Sequence, residues 1–248
     1  MSARNTLANI RIVLIQTSHP GNIGSAARAM KTMGLSELVL VKPKSFPDDQ
    51  AVTMSSNAAD ILDNATVVDS VQDALAGCHL VVGTSARHER TLAWEVLEPR
   101  ECSQKITKQA KTGGVAILFG RENSGLTNDE LALCHYLVHI PTNPDYSSLN
   151  LASAVQILSY ECRIANEALA KKPQISEINS DEIATADAME SYYDHLEAAM
   201  VESNFLDPEN PKHLMTRLRR LYGRAKVTTS EINILRGMLS AFQKNKKP

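Results

Sequence analysis

Arg28, Glu122, Ser148 and Asn150 stand in three separated clusters of small and polar residues: 22–29 (NIGSAARA), 118–126 (LFGRENSGL) and 140–152 (IPTNPDYSSLNLA). Each cluster follows a short apolar run that reads as a strand. A strand whose carboxyl end empties into glycines and small polar residues offers free backbone N–H and C=O groups to a ligand, and open parallel sheets bind at that edge. Three such edges in one domain imply a composite pocket. In the first cluster Gly24, Ala26, Ala27 and Ala29 keep a helix start slim, while Asn22, Ser25 and Arg28 project polar groups. In the second, Gly120 and Gly125 bracket Arg121, Glu122, Asn123 and Ser124, which suggests a tight loop with exposed backbone. Glu122 has ordinary roles open to it there, capping a helix from Asn128 or pairing with Arg121. In the third, Ser147 and Ser148 precede a long helical pattern, where hydroxyls are common N-caps.

Other chemistries fit less well. GxGxxG is absent, and the apolar run 38–41 leads into Lys42 where a dinucleotide site would place a ribose-binding acid, which disfavours a nicotinamide enzyme. The same absence argues against the ordinary Rossmann-like methyltransferases. His19, His79, His88 and His135 show no metal-ligand spacing, so no metal is expected. Cys78, Cys102, Cys134 and Cys162 are far apart without a CxxC pair, suggesting neither zinc nor a disulfide framework. The apolar runs 12–15 and 115–119 are far too short to span a bilayer, and no basic stretch leads into an apolar signal core. The expectation is a cytoplasmic protein with no membrane partner.

The elements that must position these residues follow from patterning. Runs at 10–15, 38–41, 66–68, 80–82, 115–119 and 137–140 alternate with helical patterns at 25–33, 71–75 (after Asp69 as N-cap), 99–111, 128–134 and 149–170. That alternation predicts an α/β domain, a mostly parallel sheet covered by helices. With 248 residues, 43% of them hydrophobic, the chain can bury one full core and carry a small second unit. Residues 171–187 hold little to bury and read as a linker. Beyond it, Met189, Tyr192, Tyr193, Leu196 and Met200, then Leu214, Leu218 and Leu221, then Ile232, Leu235, Met238, Leu239 and Phe242 recur at helical spacing. Three amphipathic helices of this size make a marginal core, so docking on the main domain or on a dimer mate is expected. The net charge of −2 hides a segregation: residues 212–247 carry ten Lys and Arg against Glu231 alone, leaving an acidic body with a basic tail. Arg217, Arg220 and Arg224 share a face there, with Arg219, Lys226 and Tyr222 beside it, an arrangement that can grip RNA.

In order and wording, the three clusters resemble the motifs of the SPOUT superfamily of RNA methyltransferases, in the branch that methylates ribose 2′-hydroxyls. The likeness covers roughly the first two thirds of the chain. It implies a SPOUT-type sheet with a C-terminal trefoil knot around 118–165, in a methyltransferase domain of residues 1–170, and a basic, tRNA-binding helical extension at 188–248. The implied cofactor is S-adenosylmethionine, with S-adenosylhomocysteine as product, held by Thr84, Ser85, Ala86, Gly120, Ile140, Ser147, Ser148 and Leu149. Asn22, Arg28, Glu122, Ser148 and Asn150 become the catalytic set, with Glu122 orienting Arg28 or the ribose. A guanidinium is a poor proton acceptor, so Arg28 serves better as a fixed charge beside the developing alkoxide, a phosphate or water taking the proton. Arg87, Arg90 and Arg121 would face RNA phosphate along with the arginines of the tail. Members with such an extension imply a homodimer paired through knotted domains and a tRNA substrate, methylated at cytidine or uridine 32 of the anticodon loop. The alternatives are a non-catalytic tRNA- or rRNA-binding module and a 2′-O-methyltransferase for another RNA site.

Overall fold

The computed structural model describes residues 6–85, 95–170 and 182–244. Strands and helices alternate through β1 (Ile10–Ile15), α1 (Pro20–Met33), β2 (Glu37–Val41), α2 (Asp49–Ser55), α3 (Ala59–Asp63), β3 (Thr66–Val68), α4 (Val71–Leu75) and β4 (Cys78–Thr84). Then come β5 (Val96–Leu97), α5 (Pro99–Gln109), β6 (Gly114–Phe119), α6 (Asn128–Ala132), β7 (Tyr136–Val138) and the long α7 (Leu151–Ala170). The strands form one seven-stranded sheet in the order β3-β2-β1-β6-β4-β7-β5, and every pairing among them is parallel. Both faces are covered, which is why the strands read as continuous apolar runs and not as alternating ones. Ile12, Leu14, Ile117 and Phe119 pack under α1, α5 and α7, while Val13, Ile15, Ala116 and Leu118 pack under α4 and α6.

The strand order positions the site. β6 lies between β1 and β4, and β7 pairs with the far side of β4. The chain therefore leaves β1, β6, β4 and β7 at four neighbouring points along one edge, and the three clusters and Thr84–Ser85 are what it leaves through.

Several boundaries differ from the sequence expectation. Helix α1 begins at Pro20, not at residue 25, because proline at a first-turn position lacks only an N–H that would have no partner there. It ends at Gly34, whose left-handed φ of 84° lets its N–H close on Lys31 and Met30 carbonyls. Ser70, not Asp69, caps α4. Helices α2 and α3 and the two-residue β5 are additions.

The C-terminal unit comprises α8 (Ala186–Glu202), α9 (Leu214–Ala225) and α10 (Thr229–Lys244) around Met189, Tyr192, Tyr193, Leu196, Val227 and Ile232. Helix α8 starts inside the expected linker, capped by Thr185; residues 171–181 lie outside the described ones. The apolar stripes are narrower than the spacing suggested: Leu221 is 49% exposed and Phe242 62%. Tyr222 takes the inner place of Leu221, its ring 5.1 Å from Tyr192 and edge-on to it. The unit docks on the main domain. The Asp187 carboxylate accepts the Gly77 N–H at 3.0 Å, a bond that is the main cause of its lowered pKa, and the Lys226 ammonium lies 5.5 Å from the Tyr136 ring centroid. A cleft of about 260 Å³ follows this seam, lined in part by Asp73, His135, Glu190 and Tyr193.

Candidate active site at the carboxyl edge of the sheet

Glu122 organises this edge. Its carboxylate accepts the Ser18 N–H at 3.2 Å, the Ser18 hydroxyl at 3.1 Å, the His19 N–H at 3.4 Å and the Asn22 side-chain amide at 3.1 Å. Helix α1 has no side-chain cap from its own N-cap residue, so a carboxylate from the loop after β6 supplies negative charge at its positive end. Burial alone would raise the pKa of Glu122, but the hydrogen bonds from Asn22 and Ser18 outweigh it and hold the group below the usual carboxylate range. Asn22 Oδ1 in turn accepts from Asn150 Nδ2 at 3.0 Å, and Asn150 Oδ1 caps α7 by accepting the Ala152 N–H at 2.9 Å and the Ser153 N–H at 3.4 Å. One residue from each cluster thus joins a single hydrogen-bonded chain, Glu122 to Asn22 to Asn150.

The exits of the other strands are tied just as closely. Thr84 Oγ1 donates to the Leu118 carbonyl at 2.9 Å, the Ser85 N–H donates to the Val138 carbonyl at 3.0 Å, and His139 Nδ1 lies 3.1 Å from the Ser85 carbonyl. Gly120 is buried where the loop folds back: a Cβ there would stand 2.1 Å from the Gly125 carbonyl carbon, so only glycine lets residues 120 and 125 approach.

A family model described as the SpoU rRNA methylase family matches residues 9–160, and one described as the C-terminal domain of the tRNA methyltransferase TrmJ matches 187–248. The chain belongs to the SpoU methylase family, in its TrmJ branch. A Pseudomonas aeruginosa relative, a tRNA (cytidine/uridine/adenosine-2′-O-)-methyltransferase TrmJ, is 54% identical over 96% of this chain and 95% of its own. The crystal structure of TrmJ from Zymomonas mobilis, 34% identical, superposes with a TM-score of 0.82 over 94% of this chain and 98% of that one. A structure concerned with 2-OH methylation of C/U34 on tRNA, 27% identical with a TM-score of 0.52, covers 97% of its own chain but only 64% of this one.

The residues that SpoU resemblance nominated are not all brought together. Asn22, Glu122 and Asn150 converge, and Thr84, Ser85, Gly120 and Ile140 line the adjoining strand exits. Ser147, Ser148 and Leu149 are exposed on the approach to α7, whose cap is Asn150 and not a serine. Glu122 neither caps α6 nor pairs with Arg121. That helix carries its own capping box, Thr127 with Glu130. Nor does Glu122 orient Arg28 in this chain: six residues along α1 place Arg28 about 9 Å from Asn22 along the axis and on another face. Its guanidinium is exposed and has no partner among the described residues. The Arg121 guanidinium, expected to face RNA phosphate, is held by Glu130 at 2.9 and 3.0 Å and by Gln16 Oε1 at 2.7 Å. Ala86, Arg87 and Arg90 lie outside the described residues.

In the tail, Arg217 and Arg224 are exposed and without partners among the described residues, and Arg220 is half-buried. Arg219 is withdrawn from any RNA contact by its double bond to Glu190 and by Tyr193 beneath it, 4.4 Å from the ring centroid. Tyr222 packs among Tyr192 and Tyr193, edge-on to the first and tilted to the second. Sequence reading missed Ser18, Gln16 and Glu130. Only Glu130 had a signal, the Thr127-x-x-Glu130 pattern that announces a capping box.

Proposed function

We propose that this chain moves a methyl group from S-adenosylmethionine to the ribose 2′-hydroxyl of cytidine or uridine 32 in the tRNA anticodon loop, as a homodimer paired through a trefoil-knotted segment at 118–165. The observation that carries this reading is the chain from Glu122 through Asn22 to Asn150, which locks three strand exits into one rigid rim. Rigid placement suits the reaction, because an in-line displacement gains most from holding oxygen and methyl carbon about 3 Å apart and aligned.

The residues present suit the methyl donor. Backbone groups at Gly120 and Ile140 can meet its adenosine, and the Ser147 and Ser148 hydroxyls, without partners among the described residues, can meet its carboxylate. When bound, S-adenosylmethionine supplies an electrophilic methyl carbon on a sulfonium. Ser148 and Asn150 orient the ribose. Arg28, outward-facing, serves the site of the partner subunit, where its charge meets the ribose oxygen as that oxygen loses its proton to water or phosphate. A 2′-hydroxyl is common to all four ribonucleotides of RNA, which accords with adenosine in the name of the Pseudomonas relative.

Position 32 is what the resemblance to members with this extension implies. The neighbour concerned with C/U34 matches only about two thirds of this chain, so α8 to α10 are what set this branch apart from it. The test uses three tRNAs and labelled cofactor: unmodified, already 2′-O-methylated at residue 32, and already 2′-O-methylated at residue 34. Label should enter the first and third but not the second. Label in the second, or in none, overturns the assignment.

A further inference from the structure

β2 is followed by a loop carrying two lysines, Lys42 and Lys44, that no part of the site described so far uses. The loop is laced to the exit of β1: the Gln16 N–H donates to the Val41 carbonyl at 2.8 Å, and the Lys44 N–H donates to the Thr17 carbonyl at 3.0 Å. Ser18, the next residue, bonds Glu122. Both lysines therefore stand at a fixed offset from the rim. Both are exposed, and neither ammonium has a partner among the described residues. Asp48, the acid that closes the loop, is occupied as the cap of α2, accepting from Gln50 N–H at 2.9 Å and from the Ser45 hydroxyl at 2.8 Å.

The backbone adds a second observation. Gln16 and Lys42, at the two neighbouring strand exits, both adopt left-handed conformations, with φ of 49° and 45°. Glycine holds that conformation without the clash a Cβ brings, so a long side chain there is retained against a local cost. For Gln16 the compensating use is visible, since its side chain accepts from Arg121. Lys42 has the same cost and no such contact within the described residues.

We propose that Lys42 and Lys44 are a phosphate-binding step on the catalytic domain, gripping the tRNA backbone beside the nucleotide whose ribose enters the site. This rests on the functional reading above. Every ribose carries phosphates at both ends, so a 2′-hydroxyl presented at the Glu122 rim brings polyanionic backbone past this loop. Two flexible ammoniums free of carboxylates suit such contacts, which position the substrate without reading its sequence.

The test compares tRNA binding by the wild type and by the Lys42→Gly/Lys44→Ala double variant across a salt series. Loss of two phosphate contacts should weaken binding roughly tenfold near 0.1 M salt and reduce the salt slope by about 1.5. Affinity for S-adenosylhomocysteine should be unchanged and the melting temperature no lower, since glycine relieves the left-handed strain; Lys42→Arg/Lys44→Arg should keep the full slope. A wild-type slope in the Gly/Ala variant overturns this proposal alone, as does a lowered melting temperature, which would make Lys42 a structural residue. A wild type that binds no tRNA overturns the functional reading and this proposal together.

Discussion

Glu122 and Arg28 are opposite cases of how a charged residue is used. The Glu122 carboxylate is saturated with donors and sits below its ordinary pKa, so it adds stability that is complete above about pH 4.3 and is lost as pH falls through the lowered folded value. Glu122→Gln keeps the shape and removes the charge. It should cost about 1 kcal/mol near pH 7, since the group is partly solvated, and the gap to wild type should close at low pH. Urea melts of both proteins from pH 3 to 7 check this; a gap that stays constant with pH would remove the carboxylate from the account. The Arg28 guanidinium has no partner to lose, being exposed and unbonded among the described residues. Arg28→Ala should therefore leave the melting temperature and cofactor affinity unchanged while abolishing methyl transfer. Calorimetry showing an equal loss of cofactor affinity would refute its role at the ribose oxygen.

At the scale of elements, α1 is pressed against α2 so closely that a Cβ on Gly24 would stand 2.0 Å from the Ala51 carbonyl oxygen and 2.9 Å from the Ser55 nitrogen. Backbone cannot yield as a flexible side chain can, so Gly24→Ala must separate the helices, costing about 2–3 kcal/mol and moving the α1 end that carries Asn22. Gly125→Ala meets nothing within 4 Å and should cost only the left-handed penalty of about 1–2 kcal/mol. Denaturant midpoints of the two variants separate these causes; equal losses would deny the helix crossing its special tightness. How much of this was legible in the sequence follows from the kind of signal involved. Strands β1, β2 and β6 were readable to within a residue, because buried parallel strands are uninterrupted apolar runs, and the exposed edge strand β3 was readable from its β-branched run Thr66–Val68. Helices α2 and α3 were not, since the apolar positions of residues 49–63 fall in two short pieces separated by Ser55, Ser56 and Asn57, each too short to show a helical period. The insertion of β6 between β1 and β4 pairs residues about a hundred positions apart, which periodicity does not encode. Likewise the site residues were recognisable by following strands, whereas the carboxylate that reaches from one cluster to the helix of another was not.

Over the whole molecule the charge boundary falls inside the C-terminal unit, since α8 carries Asp187, Glu190, Asp194, Glu197 and Glu202 and the cations begin at Lys212. The main domain holds the rim, and the C-terminal unit docks on it through Asp187 on Gly77 and Lys226 over Tyr136. Sequence alone counts ten cations in the tail, but packing removes some of them from play. Arg219 is paired with Glu190 and Lys226 lies over a ring, whereas Lys212, Arg217, Arg224, Arg236 and Lys244 are exposed and unpartnered among the described residues. The tail's share of the tRNA salt slope should accordingly fall short of what ten free cations would give. Reversing Arg217→Glu and Arg224→Glu in the full chain should lower that slope by about 1.5–2 and weaken tRNA binding, with cofactor affinity and melting temperature unchanged. Deleting residues 171–248 should lower it by about 2–3 more, because Lys212, Arg236 and Lys244, exposed and unpartnered among the described residues, go with it, although the deletion also exposes the apolar seam around Tyr136. Binding measured from 50 to 200 mM salt decides the matter. A charge-reversed protein with the wild-type slope would place α9 away from the RNA, and a deletion slope lower by eight or more would mean that the tail acts as an undifferentiated polycation and that its internal pairing counts for nothing in recognition.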